Sequence, residues 1–314
     1  IFMPLRHWLA ALLVVLLWGL NFVVIKFGVD EFPPLLLGAL RFAMVAFPAI
    51  LFIPRPVIPL RLLLLFGLTL CFGQFAFLFS AIAMGMPAGL ASLVLQSQAF
   101  FSVLIAALLL NEKVRLHSIV AMVIAAIGLG VIEMGADTAQ PVPLFAFFLT
   151  LCAAFSWGCG NIVIKKAGPA VNMFSLLTWG AVFPVFPFLL ASWLFEGPQA
   201  MAHSLANLSW TGVGSVMYLA YAASFVGYYL WGRLLAHHPV SLVTPMSLMI
   251  PVVGLLSADL VLHEKLSLVQ WLGSAVVVVG LAINIFGSRL SRVRAGKTLQ
   301  KKDIRVHTTT DKGR

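Results

Sequence analysis

The run Trp18-Gly19-Leu20-Asn21-Phe22-Val23-Val24-Ile25-Lys26 returns, with its Asn one place later, as Trp157-Gly158-Cys159-Gly160-Asn161-Ile162-Val163-Ile164-Lys165. A second unit repeats beside it. Pro87 leads to Glu112-Lys113, and Pro239 leads to Glu264-Lys265, a shift of 152 residues. The same shift pairs Leu90 with Leu242, Ser92 with Thr244, Leu110 with Leu262 and Gly128 with Gly280. The chain is a duplication, and in a membrane protein a duplication bears on mechanism.

Composition places the chain in a membrane. Hydrophobic residues make up 61% and charged residues 10%, with a mean hydropathy of +1.05. Soluble domains carry about 25% charged residues. Apolar runs of about 20 residues span a bilayer as helices. Lipid offers no partner to a bare backbone group, which excludes isolated strands. The net charge of +10 would suggest nucleic acid in a soluble protein, but its location argues otherwise. Nine of the 20 Lys and Arg residues follow Gly287 in a polar tail. Such a tail is a topology signal or a contact for anionic lipid. Cys71, Cys152 and Cys159 lie in apolar stretches without metal or redox spacing, so they are expected to be packing residues. No cofactor motif is present. The first apolar run is too long for a cleavable signal and has a repeat partner, so it is expected to be retained.

The pattern predicts an all-α integral membrane protein with ten transmembrane helices, at 8–26, 34–53, 61–84, 88–110, 116–134, 143–164, 171–195, 209–235, 240–262 and 266–287. Breaks fall at Pro33-Pro34, Pro54 to Pro59, Gly85-Met86-Pro87, Pro141 to Pro143, Gly168-Pro169, Gly197-Pro198 and His238-Pro239. Pro34, Pro87 and Pro239 suit helix entrances, where a missing N–H costs nothing. Three segments follow: a first five-helix repeat over 1–139, a second over 140–287, and a basic cytoplasmic tail over 288–314 that is expected to be disordered.

With both termini in the cytoplasm, the inside loops hold Arg6, Arg55, Arg61, Lys113, Arg115, Lys165, Lys166 and Arg233. The outside holds only Lys26 and Lys265 among basic residues, together with Asp30, Glu31, Glu133, Asp137, Glu196 and Glu264. The asymmetry obeys the positive-inside rule. Five helices is an odd number, so the second repeat runs through the membrane upside down. Inverted repeats let one scaffold open to either side, which predicts a transporter.

At these residues the chain resembles the EamA-type branch of the drug/metabolite transporter superfamily. The resemblance covers residues 8–287. It rests on the Trp18-Gly19 run to Asn21, on Leu40-Arg41-Phe42, on Pro87 to Ser92 leading to Glu112, on Ala154-Phe155-Ser156-Trp157, and on the second Pro-to-Glu-Lys unit. Longer runs, among them Gln74-Phe75-Ala76-Phe77-Leu78-Phe79 and Pro251-Val252-Val253-Gly254-Leu255, resemble the bacterial members of that branch that export cysteine-pathway metabolites. The resemblance implies export of O-acetylserine, cysteine and related compounds across the inner membrane. A membrane enzyme is a further option, but no catalytic constellation of nucleophile, base and orienting group is visible in the sequence, so no enzymatic activity is expected. Two departures stand out: Asn161 is four residues after Trp157 whereas Asn21 is three after Trp18, and the tail after Gly287 lies outside the motif set.

A pathway needs polar groups facing the bundle interior. Trp18 with Asn21, and Trp157 with Asn161, each share a helix face. The two amides either line a central cavity and bind an amino-acid headgroup, or tie helices together. The fourth helix offers Ser92 and Gln96 on one face and Gln98 and Ser102 on another; the first is preferred because Ser92 has Thr244 as its repeat mate. Gln74 is a deep amide open to the same two readings. Tyr218, Tyr221, Phe225 and Tyr228 form one aromatic stripe, pocket or packing. Arg41 is a cation inside a span; it either holds a substrate carboxylate or has a structural or gating role. Asp259 and His263 lie one turn apart, as a proton-coupling pair or a solvated cap pair beside Lys265. The repeated Glu-Lys pairs point to closure of helix hairpins.

No phosphate loop for ATP appears. The leading reading is a secondary transporter exporting small amino-acid-like metabolites by alternating access. Its partners are a small-molecule substrate and membrane lipid, without nucleic acid. The oligomeric state is open, and a monomer is plausible. Export of other amino acids or drug-like molecules is the runner-up, and a membrane scaffold or sensor is the reading from another class.

Overall fold

A computed structural model describes residues 4–135, 142–168, 170–238 and 243–287. Every regular element among them is helical. The described residues contain nine helices long and apolar enough to cross a membrane. They are α1 (Leu5–Glu31), α2 (Pro34–Leu51), α3 (Leu60–Ala83), α4 (Ala88–Leu110), α5 (Leu116–Met134), α6 (Leu144–Ala167), α7 (Met173–Glu196), α9 (Trp210–Leu234) and α11 (Leu268–Gly287). A shorter apolar helix, α10 (Met246–Leu262), completes the set. Nine of the ten expected spans have a counterpart within about five residues at each end, whereas the expected span 240–262 is met only by the shorter α10. Asp137, Pro141, Pro169, Pro239, Leu242 and the tail after Gly287 lie outside the described residues.

One element was not anticipated. Residues 198–206 form α8 (Pro198–Ala206), a helix in the connection between α7 and α9. Its sequence, Pro-Gln-Ala-Met-Ala-His-Ser-Leu-Ala, has too few apolar residues to register as a span. Pro198 at its first position favours a helical start.

Helix starts follow from proline. Pro4, Pro33, Pro59, Pro87 and Pro143 are the residues that precede α1, α2, α3, α4 and α6. None of them supplies a capping side chain. The first N–H groups of each helix therefore need an acceptor from elsewhere.

Departures from ideal helix recur at nearly the same shift as the sequence pairs. Gly67–Gly73 in α3 and Tyr218–Val226 in α9 are π-helical. Leu95–Ser97 in α4 and Thr244–Leu248 at the start of α10 are 3-10 helical. Asn111 and His263 are left-handed, with φ of 53° and 56°. The following N–H groups reach back alike: Glu112 N donates to Ala106 O at 3.4 Å, and Glu264 N to Ala258 O at 3.3 Å.

Packing places α1 against α10 and α9, α4 against α10, α3 against α6 and α2 against α7. Small residues let backbones approach, which is the main adhesive between helices when lipid removes the hydrophobic contrast. A Cβ on Gly128 of α5 would lie 2.8 Å from Gly273 O of α11, and one on Gly280 would lie 2.9 Å from Ala121 O of α5. Ends alternate along the chain. The end carrying Glu31, Ala88, Glu196 and Glu264 is called the Glu264 end; that carrying Pro4, Glu112, Lys165 and His238 is the Glu112 end.

Candidate functional site

Three elements meet around the π-helical stretch of α9. From α1, Trp18 donates its indole N–H to Ala223 O at 2.9 Å. Its ring meets Tyr228 edge-on at 5.4 Å and Trp231 at 5.5 Å. Gly227 makes this possible, since a Cβ there would sit 2.4 Å from the indole nitrogen. Nearby, Tyr218 donates its hydroxyl to Leu17 O at 2.8 Å. Asn21 shares the helix face of Trp18 and is buried, and its Oδ1 has no hydrogen-bond partner.

From α2, Arg41 enters the same region. It is 4% exposed. Nη2 donates to Ser224 Oγ at 3.2 Å, next to the Ala223 carbonyl held by Trp18. The guanidinium carbon lies 4.0 Å from the Phe75 ring centre, with Phe42 at 5.5 Å and Phe79 at 6.0 Å. Nε and Nη1 are buried without partners. Gln74, beside Phe75 on α3, is buried.

The remaining candidates lie in different surroundings. Asn161 donates to Gln98 Oε1 at 2.6 Å and to Ser102 Oγ at 3.0 Å. The α4 face bearing Gln98 and Ser102 thus engages the second amide, while the preferred face turns elsewhere. Ser92 is wholly buried and donates to Gly89 O at 2.6 Å. A Cβ on Gly254 of α10 would lie 2.4 Å from its hydroxyl, so Ser92 sits in a helix crossing. Gln96 and Trp157 are half-buried. Tyr221 stacks on Phe225 at 6.0 Å, and Phe225 meets Phe174 at 4.9 Å. Asp259 pairs with Lys265 at 2.9 Å, and His263 is the left-handed residue ending α10.

Carboxylates expected in the connections, with Glu264 expected to help close a helix hairpin, cap helices at the Glu264 end. Glu264 accepts from Ala88 N at 2.8 Å and Gly89 N at 3.0 Å, capping α4 from about 175 residues away. Glu196 accepts from Leu35 N at 2.6 Å and Leu36 N at 3.2 Å, capping α2, and also from Ser192 Oγ at 2.5 Å. Ser209 donates to Glu31 at 2.7 Å. Both caps and the Ser209–Glu31 bond join a residue before 140 to one after it. Negative charge at a helix start is favourable, and these caps fill the positions that proline leaves open. Burial pushes the Glu264 carboxyl above its ordinary range, against the Gly89 and Ala88 N–H bonds and nearby Lys26, which pull it down. The signal for these caps was present: helices opening Pro-Pro-Leu and Pro-Ala-Gly have no acceptor of their own.

At the Glu112 end the repeat mate behaves differently. Glu112 forms an ion pair with Lys165, and its side chain is 46% exposed. His7 Nδ1 meets His238 Nε2 at 2.6 Å at that end.

Comparison with known proteins gives these features a family. A profile described as EamA-like transporter family matches residues 6–134 and again 144–286. A "Probable amino-acid metabolite efflux pump" of Escherichia coli is 50% identical over 284 residues, covering 89% of this chain and 94% of its own. The protein of the same description from Salmonella typhimurium is 49% identical over 285 residues, covering 90% and 95%. A chain of known structure superposes with a TM-score of 0.58 at 19% identity, over 91% of this chain and 99% of its own, a likeness of fold alone. This multi-pass membrane protein belongs to the EamA-like transporter family.

Proposed function

We propose that the chain is a secondary exporter of small amino-acid-like metabolites, O-acetylserine and cysteine among them, working by alternating access between two inverted five-helix repeats. The observation that carries this reading is the recurrence of one shift at two levels. Residue pairs repeat at 152 positions in sequence, and the left-handed residues Asn111 and His263 repeat at the same distance in the backbone. The family profile matching twice along the chain supports the division near residue 140. Five spans per half turns the second half over, so the two halves can exchange shapes.

Loop charge supports both termini in the cytoplasm of a bacterial cell, with the Glu264 end outside. On that orientation the caps by Glu264 and Glu196 seal the outer end, and the half-exposed Glu112 marks the inner end. The transport pathway runs along the seam that holds Trp18, Asn21, Arg41, Tyr218 and Tyr228, with Gln74 beside it. Ser92, Gln96, Trp157, Asn161 and Tyr221 flank it and hold the helices that line it. The pairing of Asp259 with Lys265 supports the solvated-cap reading of Asp259 and His263 over the proton-coupling one. The substrate class rests on the likeness of the longer sequence runs and on the description of the enterobacterial relatives as amino-acid metabolite efflux pumps.

Counterflow in proteoliposomes tests the reading. Vesicles loaded with unlabelled cysteine or O-acetylserine are expected to accumulate labelled cysteine faster than empty-lumen controls. Equal rates with a panel of loaded amino acids, and with protein confirmed in the bilayer, would remove the exporter reading.

A further inference from the structure

Arg41 is a buried cation. Among the described residues no carboxylate forms an ion pair or hydrogen bond with it. Ser224 engages one nitrogen, and Nε and Nη1 are left without partners. The Phe75 face at 4.0 Å offsets part of the charge, but an aromatic face accepts none of the in-plane N–H bonds. A charged group in a span is costly and is kept where it meets a partner or a substrate.

A second orphan lies one helical turn along α1 from Trp18. Asn21 Oδ1 is a buried acceptor without a donor. Its helix neighbour Trp18 binds Ala223 O, and Arg41 binds the adjacent Ser224. The unpaired donors of Arg41 thus adjoin this π-helical segment, and the unpaired acceptor of Asn21 lies one turn from Trp18, which binds that segment. Unsatisfied buried polar groups are rare in native proteins, and two of opposite kind at one seam match one ligand. A guanidinium takes a carboxylate through parallel N–H bonds. An amide oxygen accepts from an ammonium.

We propose that this seam binds α-amino acid zwitterions, with the carboxylate on Arg41 and the ammonium directed to Asn21 Oδ1. The inference rests on the exporter reading and sharpens it. An uncompensated cation in the pathway rejects cationic drug-like molecules, so a free carboxylate becomes the entry requirement. The side chain is read by the aromatic surfaces of Trp18 and Tyr228 and contributes less to selection.

The test uses the full-length protein, with labelled L-cysteine under reductant as probe. Competition by L-cysteine, cysteamine, which lacks the carboxylate, and L-cysteine methyl ester is measured in counterflow. A hydrogen-bonded charge contributes about 1.5–3 kcal/mol, about 10- to 100-fold in affinity. Cysteamine and the ester are therefore expected to compete at least about tenfold more weakly than cysteine. Arg41→Gln is expected to abolish that discrimination, and Arg41→Lys to retain part of it. Equal competition by cysteamine in the wild type would overturn the proposal, as would an unchanged half-saturation for cysteine in Arg41→Gln.

Ligand-induced thermal stabilisation of the wild type in detergent separates this outcome from failure of the exporter reading, and it tests the carboxylate site even if Arg41→Gln does not fold. Stabilisation by cysteine and not by cysteamine, without counterflow, would retain the carboxylate site and remove transport. Transport without carboxylate discrimination would do the reverse. Neither stabilisation nor counterflow would overturn both.

Discussion

Glu112 and Glu264 close matching hairpins and end in different places. Each follows a left-handed residue, Asn111 or His263, and each sends its N–H back six residues to Ala106 or Ala258. The backbones are the same device. Glu264 is 9% exposed and caps the start of α4, whereas Glu112 is half exposed on Lys165. Local sequence therefore does not decide the fate of the carboxylate; the helix start brought against it does. One device in two conditions at two ends accords with the proposed alternating access between inverted halves.

The contrast has measurable consequences. Glu264→Ala removes two charge-assisted hydrogen bonds and leaves the Ala88 and Gly89 N–H groups buried, a loss of about 2–4 kcal/mol. The thermal unfolding temperature in detergent should fall accordingly, and Glu264→Gln should recover part of it. Equal loss in Glu112→Ala would erase the distinction between the two ends.

Gly128 and Gly280 supply the opposite control, since they are mates in equivalent contacts. Gly128→Ala and Gly280→Ala each force a Cβ against facing backbone, an overpacking cost of about 1–3 kcal/mol. The two losses should agree. A large difference would mean that α5 and α11 are not equivalent.

The smallest effects belong to exposed pairs. Glu112→Gln and Asp259→Asn each break a surface ion pair and should cost less than about 1 kcal/mol. Asp259→Asn should also leave counterflow and its dependence on a proton gradient unchanged. Loss of that dependence would restore Asp259 as a coupling group.

The spans were legible because proline breaks apolar runs at most connections. The duplication is a reading of the sequence itself, from the return of Pro87, Glu112 and Lys113 as Pro239, Glu264 and Lys265. The trans caps were not, since their donors are backbone N–H groups that no residue letter records. The partner of Glu264 lies about 175 residues away, and only the missing cap after Pro87 hinted at it. The seam was partly legible. Trp18, Asn21 and Arg41 stand out as polar or amphipathic groups in apolar runs. The π-helical register that turns Ser224 toward Arg41 and Ala223 toward Trp18 has no mark in sequence. Asn161 shows the limit of symmetry reasoning: its mate Asn21 keeps a free acceptor, while Asn161 is bonded to Gln98 and Ser102.

The central claim is that the halves part at the Glu264 end during transport. Glu31 and Ser209 touch there across the two halves at 2.7 Å. In a background with Cys71, Cys152 and Cys159 replaced, Glu31→Cys with Ser209→Cys can be joined by a short, reducible thiol cross-linker. Cross-linked protein in proteoliposomes should lose O-acetylserine counterflow, and reductant should restore it. Counterflow at the uncross-linked rate with the bridge intact would contradict the account.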